Sequence, residues 1–158
     1  MGTILVLFWG LMLKLSRLTD YAVVAMVRLG AAGGADTSPG IAVAIGVPEP
    51  TVAKVLKVLA ARGLIASSRG ASGGYRLTRP LAEISVLEVI VAIEGEIALV
   101  SCVEGHGAGC ENQLCPVIGR WDPVNEAIRA TLSGISLAAM AAPQCPGLRA
   151  GMLMNEVM

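Results

Sequence analysis

Residues 102–115 carry the densest group of reactive side chains in this chain. The segment reads CVEGHGAGCENQLC, whereas the 158 residues contain only four cysteines and one histidine in all. Its reactive residues are Cys102, His106, Cys110 and Cys115. Thiolates and imidazoles bind metal ions, and a thiolate beside an imidazole can act as a nucleophile. The segment is therefore a candidate for a metal site, a redox pair or a catalytic centre.

The spacing of the three cysteines favours one of these chemistries. Seven residues separate Cys102 from Cys110 and four separate Cys110 from Cys115, unlike the closely paired cysteines of common zinc sites. An iron-sulfur cluster needs soft thiolate ligands spread around its core, which suits a glycine-rich loop. Cys115 also precedes Pro116, as in several cluster-binding sequences.

Spacing alone leaves open which residue completes the site. His106 can complete a zinc or cluster site of three cysteines and one histidine, or it can be solvated between its neighbouring glycines. Cys145, near the C-terminus, is expected to be incidental. A nucleophilic cysteine with His106 as its base lacks a recognisable orienting acid and oxyanion loop, so the pattern does not favour an enzyme.

The first residues bear on the redox compartment. The apolar run over 4–13 is shorter than the roughly 18 to 20 residues that span a bilayer, and its positive charges follow it instead of preceding it as in a secretory signal. We expect a cytoplasmic protein that starts at Met12, with residues 1–11 as a non-native extension. Because cytosolic thiols stay reduced, the cysteines indicate metal or redox chemistry more than structural disulfides.

Charge divides the chain into two parts, although the formal net charge is zero. Residues 48–80 contain six basic residues and one acidic residue, whereas residues 81–126 contain one basic and eight acidic residues. Such asymmetry indicates one part that faces a polyanion and another part with a separate role. The hydrophobic content of 54% with only 3% aromatics favours a core of packed helices.

Helical periodicity, capping residues and glycine stops predict a mainly α fold with one small β-hairpin. The predicted elements before the hairpin are a helix over 17–31 capped by Ser16, a short helix over 41–45 and a longer helix from Thr51 to a stop at Gly63. The hairpin strands are predicted over 64–68 and 74–80. A helix between Ser85 and Gly95, with Ser85 and Glu88 as a capping box, and a helix over 116–132 are predicted to follow. Pro123 is expected to kink the last helix because it removes a backbone hydrogen bond.

This order of elements is that of a winged helix-turn-helix. The longer helix can enter a DNA major groove about 12 Å wide, with nearby basic side chains on the phosphates. The predicted DNA-binding residues are Glu49, Pro50, Thr51, Lys54 and Lys57 at the major groove and Arg69, on the hairpin, at a phosphate or a narrow minor groove. The alternative, an ordinary solvated basic face, is disfavoured because the basic excess is confined to the helix and the hairpin.

Several segments carry a resemblance to a known family: LTDYAVVAMVRLG, GVPEPTVAKVLKVLAARGLI, SSRGASGGYRLTRP and ISVLEVIVAIEGEIALVSCVE. Together they resemble the winged-helix iron-sulfur regulators typified by IscR, NsrR and RirA, over about residues 12–142. The segments CENQLCPVIGRW, NEAIRATLSGISLAAMA and LKLSRLTDYA are similar to the SufR-like branch, which regulates the SUF system of iron-sulfur cluster assembly.

The resemblance implies a homodimeric repressor of iron-sulfur assembly genes that binds a palindromic operator in double-stranded DNA. It implies a [2Fe-2S] or [4Fe-4S] cluster held by Cys102, Cys110 and Cys115. The implied domains are a winged helix-turn-helix over 12–95, a cluster-binding loop over 96–116, a region with a long dimerisation helix over 117–142 and a flexible tail over 143–158.

The fourth cluster ligand differs among the members that the chain resembles. In NsrR-like members it is an aspartate in the first helix of the partner subunit, and Asp20 occupies the matching position. In IscR-like members it is a histidine shortly after the third cysteine, where this chain has Val117, Ile118 and Gly119. The resemblance therefore ranks Asp20 ahead of His106. The alternative role for Asp20 is to complement the helix dipole.

The chain also departs from the family pattern. Its cysteine spacing is less even than in IscR and NsrR, so the cluster type does not carry over, and Ala53 replaces a polar residue of the recognition helix. A DNA-binding regulator with a structural zinc or thiol-redox site is one alternative. A small redox or electron-carrier protein with an incidental basic face is another.

Overall fold

The computed structural model describes residues 15–70, 73–98, 103, 116–117 and 119–142. These residues form mostly helices and a two-stranded antiparallel hairpin, which confirms the predicted fold class. The elements are α1 (Arg17–Ala32), α2 (Ser38–Ile45), α3 (Glu49–Ala61), β1 (Ile65–Ser68), β2 (Gly74–Leu77), a 3-10 turn (Leu81–Glu83), α4 (Val86–Glu94), α5 (Asp122–Ser133) and α6 (Leu137–Ala141). None of the described helices is long and apolar enough to cross a membrane. The predicted extension over 1–11 and tail over 143–158 lie outside the described residues.

Capping residues set the bounds of α1 and α2. The side chain of Ser16 accepts a hydrogen bond from the Thr19 amide, and Gly33 ends α1 with a left-handed φ of 66°. The second helix begins at residue 38, before the predicted start at residue 41, because the side chain of Thr37 accepts a hydrogen bond from the Gly40 amide at 3.1 Å. Local chemistry therefore accounts for both helices.

The third helix buries the apolar face that its sequence predicts. It begins at Glu49 because the carbonyl of Pro48 accepts hydrogen bonds from the amides of Thr51 and Val52, at 3.0 and 3.1 Å. Pro50 lies in the first turn, where a helix leaves amide groups without partners and a proline costs little. The buried residues of the helix are Val52, Val55, Leu56 and Leu59.

The hairpin is anchored to the segment that leads into α2. Its strands pair in register from Ile65 with Leu77 to Ser68 with Gly74. Asp36 forms an antiparallel bridge with Tyr75 of β2. A Cβ on Gly74 would lie 2.6 Å from the carbonyl oxygen of Asp36, and the φ of Gly74 is 154°, so glycine is required for this approach.

Among the described residues, an apolar core joins α1, α2, α3, α4 and β1 to α6. Leu137 of α6 is fully buried in it. The backbone also connects these parts, because the Val86 amide donates to the Ile135 carbonyl at 2.9 Å and the Leu137 amide donates to the Ile84 carbonyl at 2.8 Å. The segment after α5 therefore folds back onto the winged helix-turn-helix.

The predicted kinked helix over 116–132 is wrong in its start and its shape. Residues 116–117 and 119–121 lie in turns, and α5 begins at Asp122 with Pro123 in its first turn. A proline there has no intrahelical hydrogen bond to break, so it starts the helix instead of kinking it. The predicted helix is a 12-residue helix, and after Gly134 a separate five-residue helix capped by Ser136 follows beyond the predicted end at residue 132.

Candidate nucleic-acid interface

The outward face of α3 carries the side chains that the sequence singled out. Lys54 and Lys57 are exposed one turn apart, on the side of the helix that does not face the core. Glu49 and Pro50 are exposed in the first turn and Thr51 is half-buried beside them. The structure therefore brings five of the six predicted DNA-binding residues together on one helix. The N-terminal turn of a recognition helix is the part that contacts base edges.

The carboxylate of Glu49 is held by the preceding helix. The hydroxyl of Ser38, the first residue of α2, donates to Oε1 of Glu49 at 3.1 Å. An acid in the first turn complements the helix dipole, and a carboxylate can accept a hydrogen bond from the amino group of cytosine in a major groove. The contact fixes the start of α3 against the start of α2.

Arg69, the sixth predicted residue, is exposed directly after β1, and residues 71–72 of the hairpin lie outside the described part. The exposed Arg76 lies on β2 opposite Ala66. Both arginines therefore extend from a hairpin whose position depends on the bridge between Asp36 and Tyr75.

Sequence reasoning missed Asp36, which holds several elements together. Its carboxylate accepts hydrogen bonds from the Thr37 amide at 2.8 Å and from Nη2 of Arg28, in α1, at 3.2 Å. Its backbone amide and carbonyl form hydrogen bonds with the backbone of Tyr75. The sequence signal that could have drawn attention to it is its place directly before Thr37, the N-cap of α2.

The basic residues differ in whether an acid neutralises them. Arg28, Arg79 and Arg129 each form an ion pair, with Asp36, Glu88 and Glu96 respectively. In the part of the chain that the structure describes, no carboxylate lies within ion-pairing distance of Lys54, Lys57 or Arg69. The charges of α3 and the hairpin are therefore available to a polyanion.

The predicted metal ligands fall mostly outside the described residues. Cys102, His106, Cys110 and Cys115 are not among them, and neither is Cys145. Asp20 is described, and its side chain is exposed in the first turn of α1. Among the described residues, no group of three histidine, cysteine or acidic side chains is arranged to hold a metal ion. The ligand set stays a prediction.

Glu94 forms a contact that no local sequence pattern predicts. Its Oε1 accepts hydrogen bonds from the Ser16 amide at 2.9 Å and from the hydroxyl of Thr19. Hydrogen bonds from Ser16 and Thr19 hold the pKa of Glu94 below its ordinary value. The partners are 78 and 75 residues away in sequence, and the contact joins the end of α4 to the start of α1.

A short helix, a turn, an exposed basic helix and an anchored hairpin define a winged-helix DNA-binding protein. Residues 15–143 match the Rrf2 family, described as iron-dependent transcriptional regulators. The chain therefore belongs to the Rrf2 family and is a transcriptional regulator, not an enzyme.

Individual relatives agree with the family. The chain is 35% identical to the transcriptional regulator IscR of Aliivibrio salmonicida over 136 residues, which cover 81% of this chain and 77% of that protein. It is 30% identical to the regulator NsrR of Geobacillus kaustophilus over 131 residues, which cover 82% and 88% of the two chains. It is also 38% identical to protein aau3 of Rhizobium meliloti over 100 residues, which span 62% of this chain and just under two thirds (64%) of that protein.

A solved structure shows the same fold. CymR of B. subtilis, described as the global cysteine regulator, superposes with a TM-score of 0.65 at 26% identity, over 82% of this chain and 97% of that one. The likeness confirms that the helix-turn-helix, the hairpin and the helices after them belong to one known architecture.

Proposed function

We propose that this chain is a cytoplasmic, homodimeric repressor of iron-sulfur cluster assembly genes that responds to a bound iron-sulfur cluster. The observation that carries the proposal is the segment with Cys102, Cys110 and Cys115, which follows a complete winged helix-turn-helix in a chain of a family described as iron-dependent regulators. Widely spaced thiolates suit a cluster better than a single zinc ion.

The proposed DNA contacts lie on α3 and the hairpin. Lys54, Lys57 and Arg69 would bind phosphates, because their charges are exposed and no described acid pairs with them. Glu49, Pro50 and Thr51 lie in the turn that would face the base edges. Two such helices related by a two-fold axis would read a palindromic operator in successive major grooves.

An apolar stripe on α5 supports the homodimer. Trp121, directly before the helix, and Val124 are 39% and 44% exposed, and Ile128, one turn further, is half-buried. Their spacing of three and four residues places them on one side of the helix, as in the seam of a coiled coil. Of the residues of α5 only Asn125 is buried. An exposed apolar stripe of this kind marks a protein interface, and a second copy of the same stripe would cover it.

Asp20 fits the role of a ligand supplied across the dimer. Its carboxylate is exposed, and it lies in the turn of α1 that Glu94 holds against the end of α4, where the cysteine region begins. When bound, the cluster would supply a link, sensitive to iron supply and to oxidants, between one subunit's cysteines and the partner subunit's Asp20. The ligating residues would then fix the spacing of the two α3 helices. A coupling free energy of about 1 to 3 kcal/mol would change the affinity for DNA roughly 5- to 150-fold.

A second candidate function has one observation in its favour. The fold is similar to that of CymR, which is described as the global cysteine regulator. The cysteines would then form a structural zinc site or respond directly to oxidants as thiols. The small electron carrier considered from the sequence has no such support, because the family consists of transcriptional regulators.

Anaerobic purification followed by visible absorption and by iron, sulfide and zinc analysis tests the proposal. The wild-type chain and the Cys145→Ser control are expected to show a visible charge-transfer band with bound iron and sulfide. Cys110→Ser should lose both. A colourless wild-type protein loaded with zinc would overturn the cluster and favour the second candidate.

A further inference from the structure

One hydrogen-bonded contact joins the two parts of the chain that would supply cluster ligands. Glu94 is the last residue of α4, and only Gly95 separates it from the region over 96–116 that carries the predicted cysteine ligands. Its Oε1 accepts from the Ser16 amide at 2.9 Å and from the hydroxyl of Thr19. Thr19 is the neighbour of Asp20. The carboxylate therefore connects the end of α4 to the first turn of α1, which carries the proposed fourth ligand.

The turn that presents Asp20 is tightly held. Thr19 is only 1% exposed, and its amide donates to the backbone carbonyl of Ser16 at 3.1 Å and to the Ser16 hydroxyl at 3.3 Å. The Asp20 amide donates to the same carbonyl at 3.3 Å. Since Ser16 and Thr19 both donate hydrogen bonds to Glu94, the backbone of Asp20 is fixed relative to the end of α4.

We infer that Glu94 is a positioning residue that sets Asp20 relative to the cysteine region and so couples the two ligand sets of the dimer. The inference rests on the proposed function, in which each subunit's Asp20 serves the cysteines of the other subunit. Within one subunit, Glu94 connects the acid that completes one site to the region that builds the other. A shift of α1 at one site is therefore passed to the second site.

Replacing Glu94 should shorten the lifetime of the bound cluster. Hydrogen-bonding partners that orient a metal ligand typically change metal affinity about 10- to 100-fold. In Glu94→Ala the first turn of α1 loses its acceptor, and we expect cluster loss to a chelator to be about 10-fold faster than in the wild type. Glu94→Gln keeps an acceptor oxygen and should restore most of the lifetime. Thr19→Val removes the donor and should act in the same direction as Glu94→Ala.

The experiment reconstitutes each chain anaerobically with ferrous iron and sulfide and follows the decay of visible absorption after addition of a chelator. Ser85→Ala is the control for lost stability, because it breaks the capping box of α4 and leaves the contacts of Glu94 in place. A double-mutant cycle with Asp20→Asn tests whether Glu94 affects the cluster lifetime through Asp20. If Glu94 acts through Asp20, the double variant should decay no faster than Asp20→Asn alone.

The outcomes separate the inference from the proposed function. A wild-type chain that binds no cluster overturns both. A stable wild-type cluster with an unchanged lifetime in Glu94→Ala and Thr19→Val overturns the inference alone. If Ser85→Ala loses the cluster as fast as Glu94→Ala, Glu94 only stabilises the fold and the inference is overturned. Additive effects of Glu94→Ala and Asp20→Asn on the rate of cluster loss would overturn the inference as well. The inference is supported if rapid cluster loss is confined to Glu94→Ala and Thr19→Val and if the effect of Glu94→Ala is not additive with that of Asp20→Asn.

Discussion

The peptide groups of Asp36 and Tyr75 exchange two hydrogen bonds, 3.0 and 2.8 Å long, that attach the hairpin to the segment before α2. The same segment starts the helix-turn-helix, so the position of Arg69 relative to α3 depends on this bridge. The hairpin and the basic helix therefore act as one surface.

Gly74→Ala should break this bridge. The new Cβ would lie 2.6 Å from the Asp36 carbonyl oxygen at a positive φ of 154°, so the backbone must shift. We expect a loss of about 1 to 3 kcal/mol in the free energy of unfolding and weaker DNA binding, measured by urea denaturation and fluorescence anisotropy. Gly70→Ala is the matched control, because Gly70 also has a positive φ, of 111°, but nothing lies within 4 Å of its Cβ position. Equal losses in both variants would mean that φ strain, and not the contact with Asp36, decides the effect.

Removing the positive charges of α3 should lower the salt dependence of DNA binding. Each phosphate contact contributes about 0.9 to the slope of log affinity against log salt concentration. Lys54→Ala and Lys57→Ala should therefore each reduce the slope by about one, measured on any duplex between roughly 50 and 200 mM salt. Arg62→Ala, at the far end of the same helix, is the control and should leave the slope unchanged. Unchanged slopes for both lysine variants would contradict the phosphate contacts.

A charge in the apolar stripe of α5 should dissociate the proposed homodimer. Val124 is 44% exposed in the single chain and would be buried against the second copy. Val124→Glu would then bury an unpaired carboxylate, so sedimentation velocity should show a monomer. Ala130→Glu adds the same charge on another exposed side of the helix and should stay dimeric. A dimer in both variants would place the interface elsewhere.

The capping box of α4 should contribute to stability in a pH-dependent way. Burial raises the pKa of Glu88, but hydrogen bonds from Arg79 and Ser85 outweigh it, and the pKa lies below its ordinary value of 4.5. Because the folded pKa is the lower one, the contribution of Glu88 is complete above the unfolded pKa and is lost as the pH falls through the folded pKa. Glu88→Gln should therefore be less stable than the wild type at neutral pH and lose less stability on acidification.

Urea midpoints between about pH 7 and pH 3 measure this difference. Glu83→Gln, which removes an exposed acid from the turn before α4, is the control. Ser85→Ala should cost about 1 kcal/mol of unfolding free energy at neutral pH, because it removes the N-cap hydrogen bond of Glu88. A wild-type chain and a Glu88→Gln variant with parallel pH profiles would contradict the assigned role of the carboxylate.

The local elements could be predicted because their determinants are close together in the sequence. The cap at Ser16, the capping box of Ser85 and Glu88, and the apolar face of α3 all depend on residues three or four positions apart. Hydrogen bonds and helical periodicity over such distances do not require the rest of the fold. The order of the helices and the hairpin then predicts a winged helix-turn-helix without any information about its packing.

The wrongly predicted start of α5 shows what local sequence patterns do not determine. Pro123 predicts a kink if the helix begins at residue 116. Because residues 119–121 lie in turns, the helix begins at Asp122 and Pro123 lies in its first turn. A proline restricts the backbone in the same way in both cases. Which outcome occurs depends on where the neighbouring chain packs.

By itself the sequence determined α1 to α4, the hairpin and the basic surface of this protein, because neighbouring residues set their capping, periodicity and charge. Only the tertiary structure decided that Asp36 anchors the hairpin to Tyr75 and that Glu94 holds Ser16 and Thr19. These contacts join residues 39 to 78 positions apart, and folding brings such residues together only when a common core has formed. No pattern along the chain specifies which distant partner an individual carboxylate or peptide group will find.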